Sequence, residues 1–141
     1  MVVKTVKEGS MKPQEVLEYS LKKPGAYLDY PFGDIPVCIK AGGKLFVQLY
    51  PVPDDYKITL KCESITGDFY KQLYPGKVVR GYHCPPVQQP YFITVHMDGS
   101  VPDADIRAMI DHSYVAAIAR LSKKVREQLA EAGDGEREAK A

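Results

Sequence analysis

The sequence predicts an α+β fold, with strands grouped in the middle of the chain and helices before, among and after them. Three observations carry this. The runs PVCIKA (36–41), KLFVQLY (44–50) and KITLKC (57–62) are rich in β-branched and aromatic residues and follow one another at short intervals. Gly42-Gly43 joins the first two, a strong hairpin signal. From Pro102 onward Ile106, Met109, Ile110, Ser113, Ala117 and Leu121 share one stripe at about 100° per residue, the period of a helix.

The elements follow in order. Residues 1–10 read as a lead-in. Pro13 suits the first turn of a helix, where its missing N–H costs nothing. Val16, Leu17, Ser20 and Leu21 lie on one side of that helix, Lys22 and Lys23 complement its C-terminal dipole, and Pro24-Gly25 stops it. Residues 27–35 read as a loop carrying the aromatics Tyr27, Tyr30 and Phe32 together with Pro31 and Gly33, and loop aromatics of this kind are expected to pack back onto a core. The hairpin at Gly42-Gly43 has two possible registers. A two-residue loop pairs Ile39 with Phe46 and Lys40 with Leu45, whereas a three-residue loop pairs Ile39 with Leu45 and Lys40 with Lys44. The choice matters because a one-residue slip changes the face of every side chain.

PVPDDY (51–56) is a connection, and a short helix is expected over roughly 66–73, ended by Pro75-Gly76. Residues 77–82 read as a further extended segment, and YFITVHM (91–97) as the last strand. The stripe of the long helix loses phase after Leu121 and would turn Lys124 inward, so a bend or a new cap is expected at Ser122. The domain is read as 1–131, with 132–141 as a polar, frayed tail.

Composition narrows the function classes. A length of 141 residues suits one domain with a real core. No apolar run approaches the roughly 20 residues needed to span a bilayer, and MVVKTVKEGS lacks the apolar stretch of a secretory signal. The expectation is therefore a cytoplasmic protein with no membrane partner. Cys38, Cys62 and Cys84 are odd in number and widely spaced, which predicts reduced thiols rather than a disulfide framework or a zinc site. The net charge is +1, so contact with nucleic acid would require a basic patch assembled by folding.

An ordered set of motifs adds a resemblance. PGAYLDYPFG (24–33), AGGKLFVQL (41–49), ITLKC (58–62), YPGKVVRGYH (74–83) and DHSY (111–114) succeed one another over residues 13–126. In that order they resemble the MmcQ/YjbR-like family of small bacterial proteins. The resemblance implies an α+β fold whose antiparallel sheet is packed by an N-terminal helix, a short middle helix and a long C-terminal helix. It also implies the double-wing DNA-binding motif by which the family is described. This chain departs from the pattern after GYH. Cys84-Pro85-Pro86 replaces a small polar turn with Lys, and Tyr91-Phe92 opens the strand in place of Trp.

Most candidate chemistry fails on geometry. Asp111, His112 and Ser113 have triad residue types, but helical neighbours project about 100° apart and cannot converge; His112 is expected to be exposed. His83 and Cys84 face opposite ways on an extended segment, and His83, Cys84 and His96 match no metal-ligand spacing. Gly42-Gly43-Lys44 lacks the phosphate-loop pattern. No catalytic residue, metal or cofactor is expected. Lys57, Thr59 and Lys61 alternate with Ile58, Leu60 and Cys62, so the first set should face water. In the three-residue-loop register Lys40, Lys44, Phe46 and Gln48 join that outer face, and Lys77, Arg80 and His83 extend it. Lysines around an aromatic suit phosphate contact and base stacking, which makes DNA the expected partner. The alternative is a protein- or small-ligand-binding module using Tyr27, Tyr30 and Phe32 with Tyr82 and Tyr91.

Overall fold

The structure is a computed structural model that describes residues 11–140, with side chains as far as Glu131. The lead-in over 1–10 lies outside the described residues. Helix α1 (Pro13–Leu21) opens with Pro13, and Glu15 accepts a hydrogen bond from the Lys12 N–H at 2.8 Å, satisfying one of the free amides of the first turn. Five strands and one helix follow: β1 (Ala26–Asp29), β2 (Val37–Ala41), β3 (Lys44–Tyr50), β4 (Lys57–Lys61), α2 (Ser64–Leu73) and β5 (Val78–Arg80). A single 3-10 turn at Gln89–Tyr91 leads into β6 (Phe92–His96), then α3 (Asp103–Ile118) and α4 (Lys123–Lys140). The class is α+β, and all strand pairs of the six-stranded sheet, ordered β1-β2-β3-β4-β6-β5, are antiparallel. Among the described residues, no helix is long and apolar enough to cross a membrane.

The hairpin tip takes the two-residue loop, with Ala41 opposite Lys44 and Lys40 opposite Leu45. Gly42 and Gly43 both have positive φ (59° and 81°), as a two-residue turn that follows the twist of the strands requires. Below the tip the register shifts, and Ile39 pairs with Val47. Phe46 is the extra residue, so neither expected register holds along the whole hairpin. The shift has a core consequence. Phe46 is fully buried rather than on the outer face, its ring lies 5.3 Å from that of Tyr114 on α3, and its carbonyl accepts a 2.5 Å hydrogen bond from Ser113 Oγ.

One face of the sheet carries the core. Ile39, Val47, Leu60 and Ile93 form one cross-strand row, and Val37, Leu49, Ile58, Val95 and Val78 form the next. Onto these rows pack Ile106, Met109, Ile110 and Ala117 of α3 and Val16 of α1, the stripes expected from the sequence. Helix α2 reaches the sheet through Gly67, where a Cβ would stand 2.8 Å from Cys62 Sγ and 3.3 Å from Ile93 Cγ2. The expected break at Ser122 is present: α3 ends at Ile118, and Ser122 Oγ accepts from the Val125 N–H at the start of α4. Helix α4 continues to Lys140, past Ala132 where the sequence placed the start of a tail.

Two local expectations are corrected. The segment read as a loop from Tyr27 opens within the edge strand β1, whose four residues are too few to show alternation. Its aromatics do not pack back onto the core: Tyr27, Tyr30 and Phe32 are exposed, Phe32 at 70%. Ser113→Ala should lower stability by about 1–3 kcal/mol in urea unfolding, because it leaves the buried Phe46 carbonyl without its donor.

Candidate functional site

The face of the sheet opposite the helices bears Cys38, Gln48, Thr59 and Thr94 in one row and Tyr50, Lys57 and His96 in the next. Alternation placed Lys57, Thr59 and Lys61 on this side as expected, yet Lys57 and Thr59 are only 4% and 2% exposed. Loops cover them. The Tyr82 N–H donates to Thr94 Oγ1 at 2.7 Å, pinning the 81–84 segment across the sheet, and Thr59 and Thr94 bond each other at 2.8 Å. The expectation of a solvated lysine face is thus overturned at Lys57, because a strand's period fixes which side a residue takes but not what lies above it.

What the loops leave open is a cleft of about 690 Å³. Gln48, Tyr50 and Lys57 contribute from the sheet, Phe32, Ile35 and Pro36 from the β1–β2 loop, and Tyr82, His83 and Pro85 from the β5–β6 loop. A second, more polar lobe of about 550 Å³ adjoins it, with Arg80, Gln89, Thr94 and His96 in its lining. The two lobes share Asp55, Lys57, Tyr82, His83 and Cys84.

A cation stacked among rings stands at that shared wall. Lys57 Nζ lies 4.2 Å from the centroid of Tyr82 and 5.3 Å from that of Tyr50, and it pairs with Asp55 Oδ2 at 2.6 Å. Tyr50 and Tyr82 meet edge to face at 5.3 Å, and the His83 ring sits 4.0 Å from Tyr82. His83 holds a left-handed backbone (φ 57°), a conformation that costs energy in a non-glycine residue and concentrates where side chains are aimed for a purpose. Burial, with the nearby Cys38, Tyr82 and Cys84, pushes the Tyr50 phenol up. Burial likewise pushes the Cys84 thiol up, the opposite of what a nucleophilic thiolate requires.

The residues expected to bind nucleic acid disperse. Lys40 pairs with Asp29 at 2.7 Å, Lys77 with Asp98 at 2.6 Å, and Lys57 with Asp55. Arg80 and His83 line the polar lobe. Lys44 and Lys61 remain together. The Lys61 ammonium is lowered by burial first and then by Arg120 and Lys44 nearby, and it lies 5.2 Å and 5.0 Å from the Tyr91 and Phe92 rings. Of the residues expected to bind a ligand, Phe32 and Tyr82 line the cleft, while Tyr27, Tyr30 and Tyr91 do not. Tyr50 and Asp55 were missed. Tyr50 was recoverable, two residues beyond Gln48 on the same strand face; Asp55 lies in a connection with no periodic signal.

The Asp111-His112-Ser113 run does not converge. Asp111 accepts from Tyr19 at 2.6 Å and pairs with Lys23, Ser113 serves Phe46, and His112 is half-buried rather than exposed, its Nε2 accepting the Glu63 N–H at 3.0 Å. Cys38 and Cys62 are buried free thiols, and Cys84 is half-buried and free. Among the described residues, no three His, Cys, Asp or Glu side chains are grouped to hold a metal ion.

The fold and site define a small α+β protein with helices on one side of a sheet and a loop-walled cleft on the other. The chain belongs to the YjbR family, whose model matches residues 21–116. It is 28% identical over 119 residues to uncharacterized protein YjbR of Escherichia coli (strain K12), covering 84% of this chain and 98% of that one. In structure it resembles the Deinococcus radiodurans protein DR2400, with its DUF419 domain, at a TM-score of 0.77 and 20% identity, covering 89% of this chain and 92% of that one. A Pseudomonas syringae protein aligns at a TM-score of 0.63 and 19% identity, covering 76% of this chain and 99% of that one. These two likenesses concern the fold.

The Lys77–Asp98 pair yields a pH prediction. Burial alone would raise the Asp98 carboxyl, but the Lys77 ammonium and hydrogen bonds from Ser100 outweigh it and hold the group well below the ordinary carboxylate range. Its contribution is fully present above an unfolded value of about 4 and is lost as pH falls toward the folded one. Wild type should therefore exceed Asp98→Asn in urea midpoint at pH 6, and the gap should narrow steadily below pH ~4.

Proposed function

We propose that this protein is a binding module for a small organic molecule that seats in the cleft on the helix-free face of the sheet. The carrying observation is the cleft of about 690 Å³, with the Tyr50–Lys57–Tyr82–His83 stack in its wall. Its volume falls in the range of about 300–1,000 Å³ usual for ligand sites, and apolar walls with a few placed polar groups are their common composition. Phe32, which is exposed and lines the cleft, offers apolar surface to an occupant. On this reading the protein binds rather than catalyses, since burial pushes the thiol in the wall up, away from a nucleophilic thiolate, and Asp111 Oδ1, His112 Nε2 and Ser113 Oγ are each engaged elsewhere. Amide chemical-shift mapping with a set of aromatic and aliphatic fragments tests it. Shifts should cluster at 48–57 and 81–85, and Tyr82→Ala, with its fold verified by circular dichroism, should weaken the best fragment at least about tenfold. Shifts confined to the helical face would refute the proposal.

A second reading is nucleic-acid contact, the activity that the double-wing description implies. The observation favouring it is the Lys44–Lys61–Arg120 cluster beside Tyr91 and Phe92 at one end of the sheet. Cations beside an exposed ring such as Tyr91 can hold phosphates while bases stack. On this reading, labelled duplex DNA binds with an affinity that falls steeply with salt, and Lys44→Glu with Lys61→Glu reduces the log–log slope by about 0.9 for each phosphate no longer neutralised. Unchanged anisotropy titrations in the double variant would exclude this surface.

A further inference from the structure

We infer that the ligand of the cleft is a small organic acid, an aromatic or branched apolar body carrying one carboxylate, with Lys57 as its anchor; this rests on the cleft reading above. The Lys57 side chain is 5% exposed. An ammonium has three N–H donors, and among the described residues the one hydrogen-bond acceptor of Lys57 is Asp55. The Tyr50 and Tyr82 rings share its charge through their faces but offer no acceptor in the manner of a carboxylate oxygen. A buried cation with spare donors at the wall of a cavity favours an anionic acceptor, because hydrogen bonds to charged groups are the stronger kind.

The surroundings agree in charge and shape. Across both lobes the basic side chains of the lining are Lys57 and Arg80, with the imidazoles of His83 and His96, against the single carboxylate of Asp55, which is already paired. A cationic ligand would therefore meet Lys57 with no free carboxylate to receive it. The larger lobe is walled mainly by carbon: Phe32, Ile35, Pro36, Val52, Pro85 and Phe92. An occupant that matches both features carries an apolar body in the larger lobe and its anion at the shared wall. A purely polar anion would leave the apolar lobe uncovered, and a neutral hydrocarbon would leave the spare donors of Lys57 unused.

The test compares 2-naphthoate with 2-naphthamide, which share a ring system and differ in charge, by amide chemical-shift titration of the whole chain at neutral pH. Naphthoate should bind at least tenfold tighter than the amide, with shifts at residues 81–85 and around Lys57. In Lys57→Met, which keeps the stem and leaves Asp55 at the surface, the preference should fall below threefold. Equal affinities in the wild-type protein, a comparison that needs no variant to fold, would overturn the inference while leaving the cleft as a ligand site. A preference that survives Lys57→Met would also overturn it, since the anchor would lie elsewhere. Binding of neither compound at the cleft would overturn both the inference and the cleft reading.

Discussion

Helices cover only one face of a sheet that has two, and the rest of this structure depends on that constraint. The apolar rows led by Ile39 and Val37 meet α1, α2 and α3, and there the chain buries its core. The opposite rows begin with Cys38 and with Tyr50, and among the described residues no α-helix packs on them. An uncovered sheet face of mixed polarity can stay wet or be roofed by loops. Here the 30–36 and 81–91 segments provide an incomplete roof, and the gap between them is the cleft.

Roofing a sheet with loops sets a harder electrostatic problem than covering it with a helix. Lys57 is taken out of water at the wall of the cleft, and a buried ammonium without compensation is costly. The structure answers with three partners at once: the Asp55 carboxylate and the faces of Tyr50 and Tyr82. That solution fixes the orientation of both rings, and the Tyr82 amide is separately fastened to Thr94. The wall of the cleft is thereby held by the same interactions that make the buried charge tolerable. The arrangement also explains why lysine content misleads as a guide to nucleic-acid contact in this chain. Lys40, Lys57 and Lys77 are each matched by a nearby aspartate, so a count of cations overstates the charge they present outward.

The shift of register at Phe46 links the two faces. An extra residue in β3 lets Phe46 and Val47 both be buried, so that Phe46 meets Tyr114 while Leu49 and Val47 keep their rows. The disturbed carbonyl is satisfied by Ser113, a small residue whose position in the apolar stripe of α3 would otherwise be unexplained. One irregularity in a strand thus accounts for a polar residue in a helix core and for the loss of an aromatic from the outer face.

The sequence by itself determined the class, the helices and their facing stripes, the break at Ser122, most strands and the family, because each rests on local periodicity, turn chemistry or motif order. It also determined that Lys57 points away from the helices, since alternation fixes sides. Only the tertiary structure decided that Lys57 is buried, that Phe46 lies in the core, that β1 is a strand, and that Tyr50, Asp55, Tyr82 and His83 meet. Those outcomes depend on which loop lies over which strand and on a single extra residue in a ladder. Such facts arise where segments far apart in the chain come together, as Tyr50 does with Tyr82 and Thr59 with Thr94, and a one-dimensional pattern does not encode them.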